Sequence, residues 1–168
     1  MDSSTSHGPR LLAALAAGLA IAGTVVAVLP AASAADMCSA DNLYVVKGRL
    51  EAAAGNRYLT VRLTNVGDDA CSAGTATKAG FRDWSGALGV KGFLSSGGGA
   101  VTLAPGETAT SVIHWVDPGP VPADECQEAA ATLVTLRVPS LKHTWRLPLE
   151  AQVCTTSDYR PDSGPLSS

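Results

Sequence analysis

The chain has 168 residues, of which 46% are hydrophobic and 16% are charged, and its formal net charge at pH 7 is −3. Its Lys and Arg residues are dispersed along the sequence and form no basic run. Because nucleic-acid-binding domains carry concentrated positive charge, this composition disfavours them, and we predict no nucleic-acid partner.

An apolar segment precedes any recognisable domain. Residues 11–29 contain no charged side chain, and Ala32 and Ala34 then form the small-residue A-x-A pattern that signal peptidases cleave. We predict a signal-peptide helix within residues 1–34, cleavage before Ala35 and secretion of the mature protein. The alternative is an uncleaved membrane anchor, because nineteen apolar residues nearly suffice to cross a bilayer. Contact with a membrane is expected only in that case.

Four cysteines follow this segment: Cys38, Cys71, Cys126 and Cys154. An even number of cysteines in an exported chain predicts two disulfides. No C-x-x-C pair occurs, which disfavours zinc and thioredoxin-type redox sites. Three pairings are open. We favour Cys38 with Cys71 and Cys126 with Cys154, because each cysteine then bonds its neighbour in sequence.

Alternation of apolar and polar residues with a period of two predicts most of the strands. They cover residues 43–52, 58–64, 75–84, 108–116, 131–139 and 143–153, with one more short strand in the glycine-rich loop 87–100. A helical turn is predicted within residues 123–131.

Two of these strands allow a more detailed prediction. Strand 108–116 has apolar side chains on both faces, which is typical of a strand buried between two layers. Strand 143–153 has the most regular alternation, and its Pro148 predicts an edge position or a bulge, since proline cannot donate to a sheet.

The predicted strands, separated by frequent turn signals, indicate an all-β domain over residues 35–155. We predict an antiparallel, immunoglobulin-like β-sandwich of about seven strands. A small Greek-key barrel is the alternative, because local patterns do not distinguish the two folds. Residues 156–168 have no period and few apolar side chains, which predicts a disordered tail.

Several short motifs resemble a secreted actinobacterial family known as domain of unknown function 4232. They are Cys38, LTNVGDDAC at 63–71, the D-x-x-G of Asp83–Gly86, LAPGETA at 103–109, His114-Trp115, Cys126 and Cys154. The resemblance covers residues 38–155 and implies a small exported sandwich with paired cysteines. It implies no activity. The family's Gly-Tyr-Pro after the second cysteine is absent from residues 72–77.

Two histidines are candidates for catalytic or metal-binding residues. His114 and His143, with Asp83 or Asp117, could form a general-base pair or a metal site. Neither histidine belongs to an H-x-H or H-x-x-x-H pair, and no G-x-S-x-G motif occurs. The sequence therefore favours structural histidines and predicts no catalytic residue, no metal and no cofactor.

Three other residues are predicted to form a binding surface: Trp84, Asp68 and Asp69. The two aspartates, with the carbonyl of Asn65, could hold calcium, although acidic residues in turns are usually solvated. If Trp84 is exposed beside the glycine-rich loop, it marks a surface for protein or cell-wall glycan. The alternative is that Trp84 merely covers one end of the sandwich.

These observations favour a non-catalytic extracellular module that binds a protein or a cell-envelope component through its end loops. An unrecognised hydrolase or metal-binding protein that uses His114 or His143 is the second hypothesis. A structural envelope protein held by an uncleaved 11–29 segment is the third.

Overall fold

The computed structural model describes residues 34–89 and 91–168, most of which form β-strands. The strands are β1 (Asp36–Met37), β2 (Leu43–Ala53), β3 (Asn56–Asn65), β4 (Cys71–Gly74), β5 (Lys78–Arg82), β6 (Ala87–Leu88), β7 (Ala100–Leu103), β8 (Thr108–Val116), β9 (Glu128–Val138), β10 (His143–Cys154) and β11 (Asp162–Ser163). A single-turn helix, α1 (Ala123–Cys126), precedes β9. The predicted signal peptide and the 11–29 segment lie outside the described residues. Within the described residues, no helix has the length and apolar character needed to span a membrane.

The strands form three sheets. Two have four strands, in the orders β11-β8-β3-β2 and β10-β9-β5-β6, and the third joins β1, β4 and β7. All pairings are antiparallel except that of β1 with β4. The two four-stranded sheets face each other across a shared core, which confirms the predicted all-β sandwich. The immunoglobulin-like strand arrangement stays a prediction.

Alternating side chains of β3 supply the centre of this core. Leu59, Val61 and Leu63 are at most 1% exposed, as the period of two in the sequence predicts. Trp115 of β8 meets Phe81 of β5 edge to face, with 5.3 Å between ring centroids. This aromatic contact joins the two layers, because each ring comes from a different sheet.

The prediction that both faces of β8 are buried is wrong. Ile113 and Trp115 point into the core, whereas Val112 on the other face is 41% exposed. The sheet that contains β8 packs against a second layer on one side only, so apolar residues on its outer side remain in contact with solvent.

Both disulfides form in the favoured pairing. Cys38 bonds Cys71, and Cys126 bonds Cys154. The first bond fixes the start of the domain to β4, beside the parallel pair of β1 and β4. The second bond links α1 to the end of β10.

The C-terminal segment is ordered, which corrects the prediction of a disordered tail. Residues 162–163 form β11 on the edge of β8, and Ser167 makes a further bridge to Thr110. Leu166 is 3% exposed and belongs to the core. The sequence has no period here because only single side chains are buried, and backbone hydrogen bonds to β8 hold the rest of the segment.

Asn65 organises the turn that follows β3. Its side chain is fully buried; Nδ2 donates to the carbonyls of Asp69 and Leu103, each at 2.9 Å, and Oδ1 accepts from the Gly67 N–H at 2.9 Å. Its backbone N–H donates to Glu107, and its carbonyl accepts from Gly106. One side chain thus fixes the L-T-N-x-G segment against the β7–β8 turn.

A β-bulge interrupts each of two edge strands. In β2 the register with β3 shifts between Lys47 and Leu50, and in β10 the register with β9 shifts between Pro148 and Ala151. In each case two residues of the edge strand oppose a single threonine of the inner strand. Bulges bend a strand and increase its twist, so the two edges open locally. Pro148 lies at the edge and at a bulge, as its missing N–H predicts.

Candidate functional site

A groove lies along the side of the sandwich where the bulged edges of β2 and β10 come together. It consists of three adjoining depressions of about 330, 590 and 330 Å³, and Glu150 lines all three. We call it the edge groove and define it by Leu50, Trp84, Trp115, Glu128, Thr132 and Glu150. Both bulges lie at the groove, because Leu50 directly follows the bulge in β2 and Glu150 belongs to the bulge in β10.

Two residues that line the edge groove each have a buried polar atom with no protein partner. These atoms are the Trp115 indole Nε1 and the Thr132 hydroxyl Oγ1, the only such side-chain atoms in the described residues. Leaving a buried polar group without a hydrogen bond costs about 1–3 kcal/mol. Buried polar groups without a protein partner are normally satisfied by water or by a ligand. Because both residues line the edge groove, it is the best candidate for a binding site.

The position of Thr132 follows from the bulge in β10. Pro148 pairs with Leu133 and Ala151 pairs with Ala131, so Thr132 lies opposite two residues, Leu149 and Glu150. Thr135 shows the contrasting arrangement on the same strand, because its hydroxyl donates to the Gly80 carbonyl at 3.0 Å. The irregular register therefore accounts for the unpaired hydroxyl.

We expect Thr132→Val to leave the stability of the free protein unchanged or to raise it by about 1 kcal/mol, because valine keeps the shape and removes an unpaired hydroxyl. Thr135→Val is the matched control, and loss of its hydrogen bond should lower stability by about 1 kcal/mol. Urea denaturation of both variants measures the difference. A Thr132→Val variant that is as destabilised as Thr135→Val would show that Thr132 has a protein partner.

The edge groove is lined by both basic and acidic side chains, and Lys47 lies in its second depression. Arg57 lies at one end, where its Nε donates to Asp117 Oδ2 at 2.6 Å, so these two charges neutralise each other. Glu128 and Glu150 also line this part of the groove, and within the described residues neither carboxylate takes part in an ion pair. The groove therefore offers two carboxylate acceptors in the depression that Trp115 also lines.

Trp84 lies at the other end of the groove, in a turn that presents its ring to solvent. The ring is 86% exposed and lies beside Leu133 and Pro148. Asp83 holds the turn, because its Oδ1 accepts hydrogen bonds from the Ser85 hydroxyl at 2.7 Å and from two backbone N–H groups at 2.8 Å. The Ser85 hydrogen bond lowers the pKa of the Asp83 carboxyl. A lowered pKa means that the ionised carboxylate stabilises the turn at neutral pH, and this stabilisation is lost as pH falls through that pKa.

His114 and His143 lie in different sheets and occupy different environments. His114 on β8 has both ring nitrogens in hydrogen bonds, with Asp162 Oδ2 at 3.0 Å and with Asn56 Oδ1 at 2.8 Å. His143 is exposed on β10 and packs against Trp145, with 4.7 Å between ring centroids. His114 therefore has an acidic partner, but neither of its nitrogens remains to activate a nucleophile.

Asp68 and Asp69 are exposed and do not line the edge groove, so the structure separates them from Trp84. The Asn65 carbonyl, considered above as a calcium ligand, accepts the Gly106 N–H at 2.8 Å. Across the described residues, no group of three or more His, Cys, Asp or Glu side chains is arranged to hold a metal ion.

Comparison with protein families gives a match over most of the chain. The model of the family "Domain of unknown function (DUF4232)" matches residues 38–164, well over half of the chain. The chain belongs to this family. No curated protein matches it. The match to DUF4232 includes both disulfides and extends past the predicted boundary at residue 155 to include β11, in agreement with the ordered tail.

The sequence gives no signal for most residues that form the edge groove of this DUF4232 domain. It predicts Trp84 as a surface residue, but Thr132 and Glu128 have no distinguishing pattern. Pro148 was the one sequence feature that indicated an irregular edge, and it lies directly at the groove. The partner bulge in β2 contains Gly48, a residue that often accompanies bulges and that could have suggested it.

Proposed function

We propose that this DUF4232 domain is an exported, non-catalytic module that binds a cell-envelope glycan in the edge groove. The observation that carries the proposal is that both residues with an unpartnered buried polar atom line the edge groove, Trp115 in one depression and Thr132 in the other two. An extracellular protein is the other partner considered from the sequence, but the mixture of polar groups in the groove favours a sugar. The proposed contact surface lies along the side of the sandwich, and it shares Trp84 with the end-loop surface proposed from the sequence.

The chemistry of the groove suits a sugar ring. An exposed indole such as Trp84 can cover the apolar C–H face of a sugar, because its ring is large, rigid and apolar. The carboxylates of Glu128 and Glu150 accept hydrogen bonds from hydroxyl groups. The indole N–H of Trp115 needs an acceptor, which a hydroxyl or acetamido oxygen would supply. Binding sites commonly combine apolar walls with a few polar groups in this way.

Two further observations support export and a non-catalytic role. The domain contains two disulfides, and disulfides form and persist mainly in oxidising compartments outside the cytosol. His114, the histidine with an acidic partner, is not among the groove residues, and its ring nitrogens are engaged by Asp162 and Asn56. The hydrolase alternative therefore has no support from the arrangement around this histidine.

Binding to envelope glycan tests the proposal directly. We expect soluble peptidoglycan fragments to bind the purified domain in isothermal titration calorimetry and to change its tryptophan fluorescence. Trp84→Ala should weaken binding about tenfold, which corresponds to about 1.4 kcal/mol. Thr132→Val should also weaken binding, although it does not destabilise the free protein.

Tyr44→Ala is the matched control, because Tyr44 is an aromatic residue of β2 that is 60% exposed and lies outside the groove. The Tyr44→Ala variant should bind the peptidoglycan fragments with the same affinity as the unmodified protein. If the Trp84 and Thr132 variants bind as tightly as the Tyr44 variant, the groove is not the glycan site. Absence of any binding to envelope glycan would overturn the proposal.

A further inference from the structure

The outer surface of the sheet β10-β9-β5-β6 carries a concentration of basic side chains, which we call the cationic face. Its members are Lys78, Arg82, Lys91, Arg137 and Arg146. On the strands these residues alternate with buried ones such as Ala79, Phe81 and Leu136, so they point away from the core. Lys91 is held beside β5 because the Gly92 N–H donates to the Ala79 carbonyl at 3.0 Å.

Strand pairing assembles this face from basic residues that are far apart in sequence. Lys78 of β5 pairs directly with Arg137 of β9, and Arg146 of β10 pairs with Thr135, which in turn pairs with Gly80. Two shallow depressions, each of about 160 Å³, lie between the basic side chains, and both are lined by Lys91 and Thr135. The sequence shows no basic run because the five residues come from three strands and a loop.

The positive charge of the face is not balanced within the described residues. The three ion pairs there use Arg49, Arg57 and His114, none of which belongs to the face. Like charges placed directly opposite each other, as Lys78 and Arg137 are, destabilise an antiparallel pair. The chain as a whole has a net charge of −3, so this concentration of cations does not reflect its composition.

We propose that the cationic face binds a linear polyanion that carries repeated phosphate groups. Lys78 and Arg82 are four residues apart on one strand, roughly 13 Å at about 3.3 Å per residue, which is too far for one phosphate to contact both closely. Guanidinium groups bind phosphate in a bidentate manner, and three of the five residues, Arg82, Arg137 and Arg146, are arginines on the adjacent strands β5, β9 and β10.

The lining of the depressions favours contact with phosphates over contact with bases. Their one aromatic residue is Phe81, which is 3% exposed and packs in the core, whereas single-stranded nucleic acids are usually bound by stacking on exposed rings. Polyanion binding at the cationic face is separate from glycan binding in the edge groove and does not depend on it.

The proposal is tested by measuring the affinity of long-chain inorganic polyphosphate for protein that has both disulfides intact. The double variant Arg137→Gln/Arg146→Gln should bind about 25-fold more weakly, at about fivefold for each cation removed. The slope of log affinity against log salt should decrease by about 0.7 for each removed contact. The control Arg49→Gln/Arg62→Gln makes the same charge change on β2 and β3 of the other sheet and should keep the original affinity and slope.

Four outcomes would overturn the proposal. The first is absence of salt-dependent polyphosphate binding, and the second is equal weakening by the two double variants. Tighter binding to single-stranded DNA, or to vesicles of equal parts phosphatidylglycerol and phosphatidylcholine, at the same salt concentration would assign the face to a different partner. Thr132→Val, which alters only the edge groove, should bind polyphosphate normally, so failure of the glycan proposal and failure of this one are distinguishable.

Discussion

Deleting residues 161–168 is expected to destabilise the domain by about 5 kcal/mol. Burial of the Leu166 side chain contributes about 2–3 kcal/mol of this loss. The Gly164 carbonyl accepts hydrogen bonds from the Thr77 and Ser111 hydroxyls, both at 2.7 Å, and each contributes about 1 kcal/mol. Thr77 and Ser111 are themselves buried, so deletion also leaves their hydroxyl groups without these partners.

Urea denaturation followed by tryptophan fluorescence measures this effect. Since the deletion could prevent folding altogether, Leu166→Ala provides a milder version and should cost about 2–3 kcal/mol. Deletion of Ser168 alone is the control and should have no measurable effect, because this exposed residue follows the last bridge to β8. A 161–168 deletion that keeps the stability of the full chain would mean that the tail does not pack on β8 in solution.

Asn65→Asp should be nearly as severe, with a loss of about 3–5 kcal/mol at neutral pH. The substitution keeps the shape of the side chain but replaces the Nδ2 donor with an oxygen that faces the carbonyls of Asp69 and Leu103. It also places an uncompensated charge at a fully buried position, and this is among the most destabilising of single changes.

The expected loss depends on pH in a defined direction. Burial opposite two carbonyls disfavours the charged form of an introduced carboxylate, so the variant should recover part of its stability as pH falls and the carboxylate becomes protonated. Asn42→Asp is the matched control, because Asn42 is exposed, and it should change stability by less than about 0.5 kcal/mol. Similar unfolding midpoints for the two variants would contradict the role assigned to Asn65.

The sequence predicts the long strands well because each has a regular side-chain period. In β3 and β10, apolar residues recur at every second position, and the same residues are buried in the structure, as with Leu63 and Val153. The short strands β1, β4 and β11 contain two to four residues, too few to show a period. Backbone pairing with longer neighbours forms these strands, and such pairing leaves no local pattern in the sequence.

The two candidate binding surfaces depend on pairing register, which the sequence does not reveal. The unpaired hydroxyl of Thr132 exists because a bulge places two residues opposite it, whereas Thr135 on the same strand finds a partner. Alternation alone puts Lys78 and Arg82 on one side of β5, but only the register sets Arg137 beside Lys78. Trp84 can be predicted from the sequence, because a large aromatic residue in a turn is unusual whatever residues lie around it in the fold.

The C-terminal strand also bears on how copies of this domain behave towards one another. β8 is nine residues long and rich in β-branched side chains, and β11 and Ser167 occupy the hydrogen-bonding groups along its outer edge. A long free edge of this kind is a template for strand addition by another chain, whereas a very short terminal strand offers little to extend. Proteolytic loss of the tail would therefore expose a free strand edge to which another copy could add a strand.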